Sequence, residues 1–138
     1  MAPPKTIMSC IFCKIISGVV PVPGRGGESP AQILYRDDLV TAFRDIHPIA
    51  PTHILIVTNR HIDSVNELEP VDESLVGHMV MVAKQLAAQE GIAEPGYRLI
   101  FNTGAHGGQT VFHLHLHLIG GRLVRVVVPV SARGFALE

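Results

Sequence analysis

Hydrophobic positions along this chain change period from segment to segment. From Phe112 to Ile119 apolar residues alternate with histidines, setting Phe112, Leu114, Leu116 and Leu118 against His113, His115 and His117. A period of two belongs to an extended strand, so the segment predicts one apolar face for a core and one face of imidazoles. The longest helical period runs from Asp72 to Glu90: Leu75, Met79, Val82 and Leu86 form one stripe, Asp72-Glu73 open the segment, and Gly91 stops it. Phe12, Ile15 and Ile16 predict a shorter helix over Cys10–Ser17 that ends at Gly18. Residues 32–36 and 40–45 flank Asp37-Asp38 as a hairpin, and Thr52–Thr58 reads as a third strand with His53, Leu55 and Val57 on one face. Arg98–Phe101 and Phe112–Ile119 are the fourth and fifth strands, and Val124–Val128 reads as a further one. The sum is an α+β fold, an antiparallel sheet of about five strands with two helices.

Length and composition narrow the class. At 138 residues and 47% hydrophobic, the chain can bury a core as one domain over residues 1–138. Residues 1–9 read as a flexible N-terminal segment and the Gly/Pro-rich residues 22–30 as a surface loop. A net charge of −1 leaves no basic footprint for nucleic acid, so a bound nucleotide is expected to be a small molecule. No apolar run approaches the roughly 20 residues that span a bilayer, and the N-terminus has no apolar signal core, so no membrane partner and a cytoplasmic location are expected.

The imidazole face carries the candidate chemistry. Alternate residues of a strand lie roughly 6.5–7 Å apart, so one anion can touch two of the rings. A buried strand with incidental histidines is the bland reading, but three desolvated imidazoles demand partners or a ligand. Spaced histidines also hold zinc. Directly upstream, Asn102-Thr103-Gly104-Ala105-His106-Gly107-Gly108-Gln109-Thr110 is a glycine-rich loop whose backbone N–H groups can approach an anion, with Asn102, Gln109 and Thr110 as neutral donors. That combination suits a phosphate.

Gly107-Gly108-Gln109-Thr110-Val111-Phe112-His113-Leu114-His115-Leu116-His117-Leu118-Ile119-Gly120-Gly121-Arg122 resembles the signature of the histidine-triad (HIT) superfamily, in particular the branch of nucleotide-binding proteins that act as nucleoside phosphoramidases. Ile11-Phe12, Ala42-Phe43-Arg44-Asp45-Ile46, Ala50-Pro51-Thr52-His53, Arg60-His61-Ile62, Glu73-Ser74-Leu75 and Gly96-Tyr97-Arg98 fall in the family's order. Two departures stand out. Residues 22–30 are longer than the family's usual connection, and the tail after Arg122 lacks the Trp-Pro-Pro-Gly ending of animal members, which leaves leaving-group preference open.

The resemblance implies a purine nucleotide-binding hydrolase of P–N bonds in nucleoside 5′-phosphoramidates. Its nucleophile would be His115, forming a nucleotidyl-histidine intermediate, with His113, His117 and Thr110 in the catalytic set. His53 is either an imidazole that orients the triad or a satisfied core histidine. Asp45 would take both ribose hydroxyls, Asn102, Gly108, Gln109 and Thr110 would hold phosphate, and Ile11, Phe12, Phe43 and Ile46 would sandwich the base, though any core would contain such residues. His47, His78 and His106 have no motif claim. Relatives with the same Cys-Ile-Phe-Cys-Lys opening hold a structural zinc, which implies Cys10, Cys13, His61 and His113 as ligands in a closed tetrahedral set. No cofactor is expected in catalysis: even spacing along one strand is poor for three ligands on one ion, and no acidic cluster nearby could hold magnesium. The family also implies a homodimer, pairing helix 72–90 and strand 97–102 into one continuous sheet. Two alternatives are a dinucleoside polyphosphate or nucleotidylyl hydrolase, and a nucleotide-responsive binding or scaffold protein.

Overall fold

The computed structural model describes residues 9–18 and 32–124. The expected segment 1–9 (but for Ser9), the 22–30 loop and the strand at 124–128 (but for Val124) lie outside the described residues. Helix α1 spans Ile11–Ser17 and α2 spans Glu73–Gln89; the strands are β1 (Ile33–Arg36), β2 (Val40–Arg44), β3 (Thr52–Thr58), β4 (Tyr97–Ile100) and β5 (His115–Gly120). They form one five-stranded sheet in the order β1-β2-β3-β5-β4, and every neighbouring pair is antiparallel.

The expected alternation sorts side chains onto two faces of this sheet. Val40 and Ala42 of β2, Ile54 and Ile56 of β3, and Leu116 and Leu118 of β5 pack with Leu114 against Met79, Val82, Ala83 and Leu86 of α2. This cluster is the main core. Phe43, Leu55 and Val57 point the other way and pack with Cys10, Phe12, Cys13 and Ile15 at helix α1. The imidazoles of β5 emerge on this second face, where α1 covers only part of the sheet. Burying side chains such as Met79 and Leu116 stabilises the fold by ~2–5 kcal/mol each, judged by the cost of truncation to alanine. The half-exposed Arg44–Glu90 ion pair, with side chains 39% and 23% exposed, contributes less than about 1 kcal/mol and serves to register β2 against the end of α2.

Local signals explain the ends of the elements. Gly18 closes α1 in the left-handed region at φ 79°, its N–H returning to the carbonyls of Ile15 and Lys14. Asp37 closes the β1–β2 hairpin by accepting the N–H groups of Leu39 and Val40 at 2.8 Å each, together with the Tyr35 hydroxyl at 2.7 Å and His78 Nε2 at 2.6 Å. His78 is therefore a structural tie from α2 to the hairpin. Burial pushes the Asp37 carboxyl up, but its four donors outweigh that and hold it well below the usual carboxylate range.

Strand ends differ from the sequence reading by one residue in the first, second and fourth strands, and the start of the fifth differs by three. The fourth strand starts one residue earlier, because Tyr97 pairs with Gly120. The fifth begins at His115, not Phe112, since the Leu114 N–H donates to the Ile62 carbonyl at 2.6 Å and draws residues 112–114 out of the ladder.

Beyond β5 the chain turns against Pro51. Gly121 has φ 95°, and a Cβ built there would lie 2.9 Å from Pro51 Cβ. Strain and overpacking would act together at this position. Gly121→Ala is expected to lower stability by ~1–4 kcal/mol, read as a drop in denaturation midpoint with an unchanged m value; an unchanged midpoint would contradict this account.

Candidate functional site

A cavity of about 250 Å³ opens between α1, the ends of β2 and β5, and the glycine-rich loop. Its apolar wall is formed by Ile11, Phe12, Ile15, Phe43, Ile46, Leu55 and Val111, and its polar wall by Arg44, Asp45, His47, Asn102, Gly108, Thr110, His115 and His117. One half suits a flat apolar ring and the other an anion with hydroxyl groups. The four apolar residues expected around a base thus line one wall. Phe12 and Phe43 are also core, 7% and 2% exposed, whereas Ile46 is 44% exposed at the cavity edge.

Hydrogen-bond partners fix where each imidazole carries its proton. His115 Nδ1 lies 2.6 Å from the His113 carbonyl, which can only accept, so Nδ1 is protonated and Nε2 of the neutral ring keeps its lone pair. His53 Nδ1 accepts the Ile49 N–H at 3.2 Å, which puts the His53 proton on Nε2. That Nε2 lies 2.9 Å from His117 Nδ1 and 3.4 Å from Asp45 Oδ2. Donation from His53 to His117 Nδ1 leaves His117 with its proton on Nε2; Asn102 Nδ2 is placed 3.4 Å from it, and turning that amide over sets its oxygen there as the acceptor that an N–H requires. The cavity therefore holds a lone pair on His115 beside an N–H on His117, the two rings 4.9 Å apart between centroids. Phe12 supports His115 edge-on at 5.1 Å.

Burial keeps these rings neutral. Desolvation lowers His53 and His115 below the ordinary histidine value, against the opposing pull of Asp45 on each, and lowers His117 to about 4, with His115 and His53 adding to the effect. Arg44 borders the cavity between Phe43 and Asp45, but its guanidinium lies on the α2 face of the sheet, held bidentately by Glu90 at 2.9 and 3.0 Å. Asp45 accepts the His47 N–H at 2.7 Å on Oδ1, which turns its carboxylate along the cavity rim.

Several expected residues lie elsewhere. His113 and His53 stand behind the cavity lining, His53 against His117 and His113 among the cysteines. Gln109, expected to donate to a ligand, is 4% exposed and does not line the cavity. Both its N–H groups are used on the carbonyls of Asp63 and Val111, at 2.8 and 3.0 Å, and its oxygen accepts the Gly104 N–H at 2.9 Å. Arg44, His47, Leu55, Val111 and Ile15 line the cavity without having been singled out. Only the position of Arg44 and His47 beside Asp45 could have flagged them.

A second cluster adjoins the cavity. The ligand atoms of Cys10, Cys13, His61 and His113 all lie within 4.8 Å of one another. His113 Nδ1 is 3.2 Å from Cys10 Sγ and 3.4 Å from Cys13 Sγ, and His61 Nδ1 is 3.2 Å from Cys13 Sγ. Each ring donates its other nitrogen outward, His113 Nε2–H to the Thr58 carbonyl at 2.6 Å and His61 Nε2–H to Asp63 Oδ1 at 2.7 Å. Both Nδ1 lone pairs consequently face the two sulfurs, the orientation that metal-ligating histidines adopt. Burial, with Cys10 alongside, pushes the Cys13 thiol up to about 12, so packed without a cation that thiol stays protonated. Two thiols and two imidazoles with oriented lone pairs fit zinc, as a closed set of four.

Comparison with known proteins agrees with this geometry. Over 95 residues the chain is 60% identical to the purine nucleoside phosphoramidase of Escherichia coli (strain K12), an alignment covering 69% of this chain and 80% of that one. A HIT family hydrolase from Legionella pneumophila Philadelphia 1 superposes with a TM-score of 0.75 at 45% identity, covering 83% of this chain and 94% of that one. A zinc-bound histidine triad family protein from Mycobacterium smegmatis superposes with a TM-score of 0.67 at 32% identity, covering 85% and 78%. No helix among the described residues is long and apolar enough to cross a membrane.

The depressed histidines set a pH dependence. Unfolded, these rings titrate near 6.5. Below that pH the unfolded chain binds more protons than the folded one, so stability is complete above about 6.5 and is lost as pH falls towards the folded value of about 4 at His117. The melting temperature is expected to fall steadily between pH 6.5 and 5, above the range where carboxylates contribute; a flat profile there would contradict the assignment of neutral buried rings. The family model of the HIT domain matches residues 26–124, and the chain belongs to the HIT family.

Proposed function

We propose that this chain hydrolyses the P–N bond of purine nucleoside 5′-phosphoramidates through a nucleotidyl intermediate on His115. The observation that carries the reading is the bond from His115 Nδ1–H to the His113 carbonyl, which leaves the Nε2 lone pair on a ring lining the cavity. The 60% identity to the E. coli phosphoramidase supports the choice of substrate class.

Each residue then has a role. The base lies between Ile11 and Phe12 on one side and Phe43 and Ile46 on the other, and Asp45 accepts the ribose hydroxyls. Nε2 of His115 attacks the α-phosphorus as the P–N bond breaks, and the amine, protonated on nitrogen from solvent, departs with the P–N electron pair. The imidazolium so formed keeps its Nδ1–H on the His113 carbonyl, so no proton need leave the ring. His117 Nε2–H, with Asn102 and the backbone at Gly108, stabilises charge on the phosphoryl oxygens, and Thr110 stands at the exposed end where the amine leaves. Water then attacks phosphorus as the P–Nε2 bond breaks, its electron pair returning to Nε2; the water gives a proton back to solvent and the nucleoside monophosphate is released. His53 acts through His117 as a positioning residue, and no cofactor takes part in either displacement. Cys10, Cys13, His61 and His113 would hold a structural zinc, which supplies cross-linking of α1 to the sheet.

His115→Ala is expected to lose activity by roughly three orders of magnitude or more while still binding AMP, and denaturing mass spectrometry of a slow substrate should find the nucleotidyl adduct on His115. Full activity in that variant would overturn the proposal.

We also propose a cytoplasmic homodimer. β4 is the last strand of the sheet, and Leu99 on it and Val80 and Met81 on α2 are exposed apolar side chains at 36%, 37% and 58%. A second copy across this edge would continue the sheet and cover them. Sedimentation at micromolar concentration is expected to give a dimer; monomer alone would refute it.

A further inference from the structure

We propose that the Cys10–Cys13–His61–His113 cluster does more than brace the fold: through Asp63 and Gln109 it positions the loop that holds the phosphate, so that metal occupancy and nucleotide affinity are coupled. The inference rests on the nucleotide reading of the cavity.

Asp63 faces both sites at once. Its carboxylate accepts His61 Nε2–H at 2.7 Å, which aims Nδ1 of that ring at Cys13 Sγ, 3.2 Å away. Its backbone carbonyl accepts from Gln109 Nε2 at 2.8 Å. Gln109 is the buried residue between Gly108 and Thr110, both of which line the cavity. Its amide spends its remaining capacity on the Val111 carbonyl at 3.0 Å and the Gly104 N–H at 2.9 Å, closing the glycine-rich loop across its base. A displacement of His61 is thus passed through one residue to the side chain that fixes the loop. Removing the amide would leave three polar backbone groups to find new partners, so the loop has no equivalent arrangement without it. A second contact works in the same direction, because Phe12, between the two cysteines, lies 5.1 Å from His115 and 5.9 Å from His113.

A cluster that only braced α1 would affect stability and leave loop and ligand alone. Coupling predicts a reciprocal effect: if metal alters AMP affinity by some factor, AMP alters metal affinity by the same factor. The test uses the full chain loaded with Zn²⁺ or stripped by chelator, and AMP as the probe. Stripping is expected to speed hydrogen exchange at the Gly104 amide by about tenfold or more and to weaken AMP binding by about fivefold or more. In Gln109→Asn, whose shorter side chain cannot span Asp63 and Gly104, stripping should change AMP affinity by less than about twofold. If the stripped chain does not stay folded, a chelator competition titration with and without AMP reads the same factor from the loaded side. Unchanged exchange and AMP affinity on stripping, an equal factor in Gln109→Asn, or a chain that takes up no Zn²⁺ would each overturn the proposal. Failure of AMP to bind the loaded chain would count against the nucleotide reading instead, and Gly104 exchange would still decide the coupling.

Discussion

The bond that removes Leu114 from the sheet ladder governs the arrangement of everything around it. A straight strand from Phe112 would carry three imidazoles along one face, all at one depth and all facing one cavity. The Leu114 N–H instead donates to the Ile62 carbonyl, and the Thr58 N–H reaches the Leu114 carbonyl only at 3.5 Å, so the ladder with β3 starts at Val57 and His115. His113 is thereby left short of the strand, wholly buried, with its ring between the Thr58 carbonyl and the two cysteines. One run of alternating residues therefore serves two centres. Its own backbone connects them, because the carbonyl of the residue among the cysteines is the acceptor that orients the next ring.

Proton placement follows from that connection. None of the three rings at the cavity is paired to a carboxylate in the manner of a relay that would charge it: His115 is tied to a carbonyl, His53 to a backbone N–H, and His117 to His53. Asp45 Oδ2 approaches His53 only at 3.4 Å and works against a larger desolvation effect. A donor and a lone pair can stand side by side in this way because the partners end in two groups of fixed role, the His113 carbonyl beyond His115 and the Ile49 N–H beyond His53 and His117.

Much of this was legible in the residues. Alternation from His115 to Ile119, the Leu75–Leu86 stripe and the stops at Gly18 and Gly91 are local signals, and the local structure obeys them. The cluster of Cys10, Cys13, His61 and His113 and the cavity residues Asp45, Phe43 and Ile46 were reached through motif resemblance, since periodicity alone would have placed the apolar ones in a core. What stayed hidden depends on contacts distant in sequence. Gln109 reads as a donor for a ligand because it sits among glycines, and only the position of Asp63, 46 residues away, shows that its amide is already used. The exit of Leu114 from the ladder likewise depends on Ile62, and no pattern within 112–119 could disclose it.

The placement of Arg44 bears on why neutral donors line this cavity: alternation along β2 sends its side chain to the α2 face with Val40 and Ala42, where Glu90 holds it. An unpaired guanidinium beside the rings would attract a phosphate strongly, but it would bind the anion equally well before and during reaction, and binding of that kind does not speed the chemical step. With Arg44 on the far face of the sheet, a phosphate meets N–H dipoles from His117, Asn102 and the loop, together with a lone pair that burial has kept unprotonated. Desolvation, which costs stability by disfavouring charged histidine, is the same effect that preserves the nucleophile. The site thus trades stability at acid pH for a usable lone pair at neutrality, and the large apolar core between the sheet and α2 supplies the stability that makes the exchange tolerable.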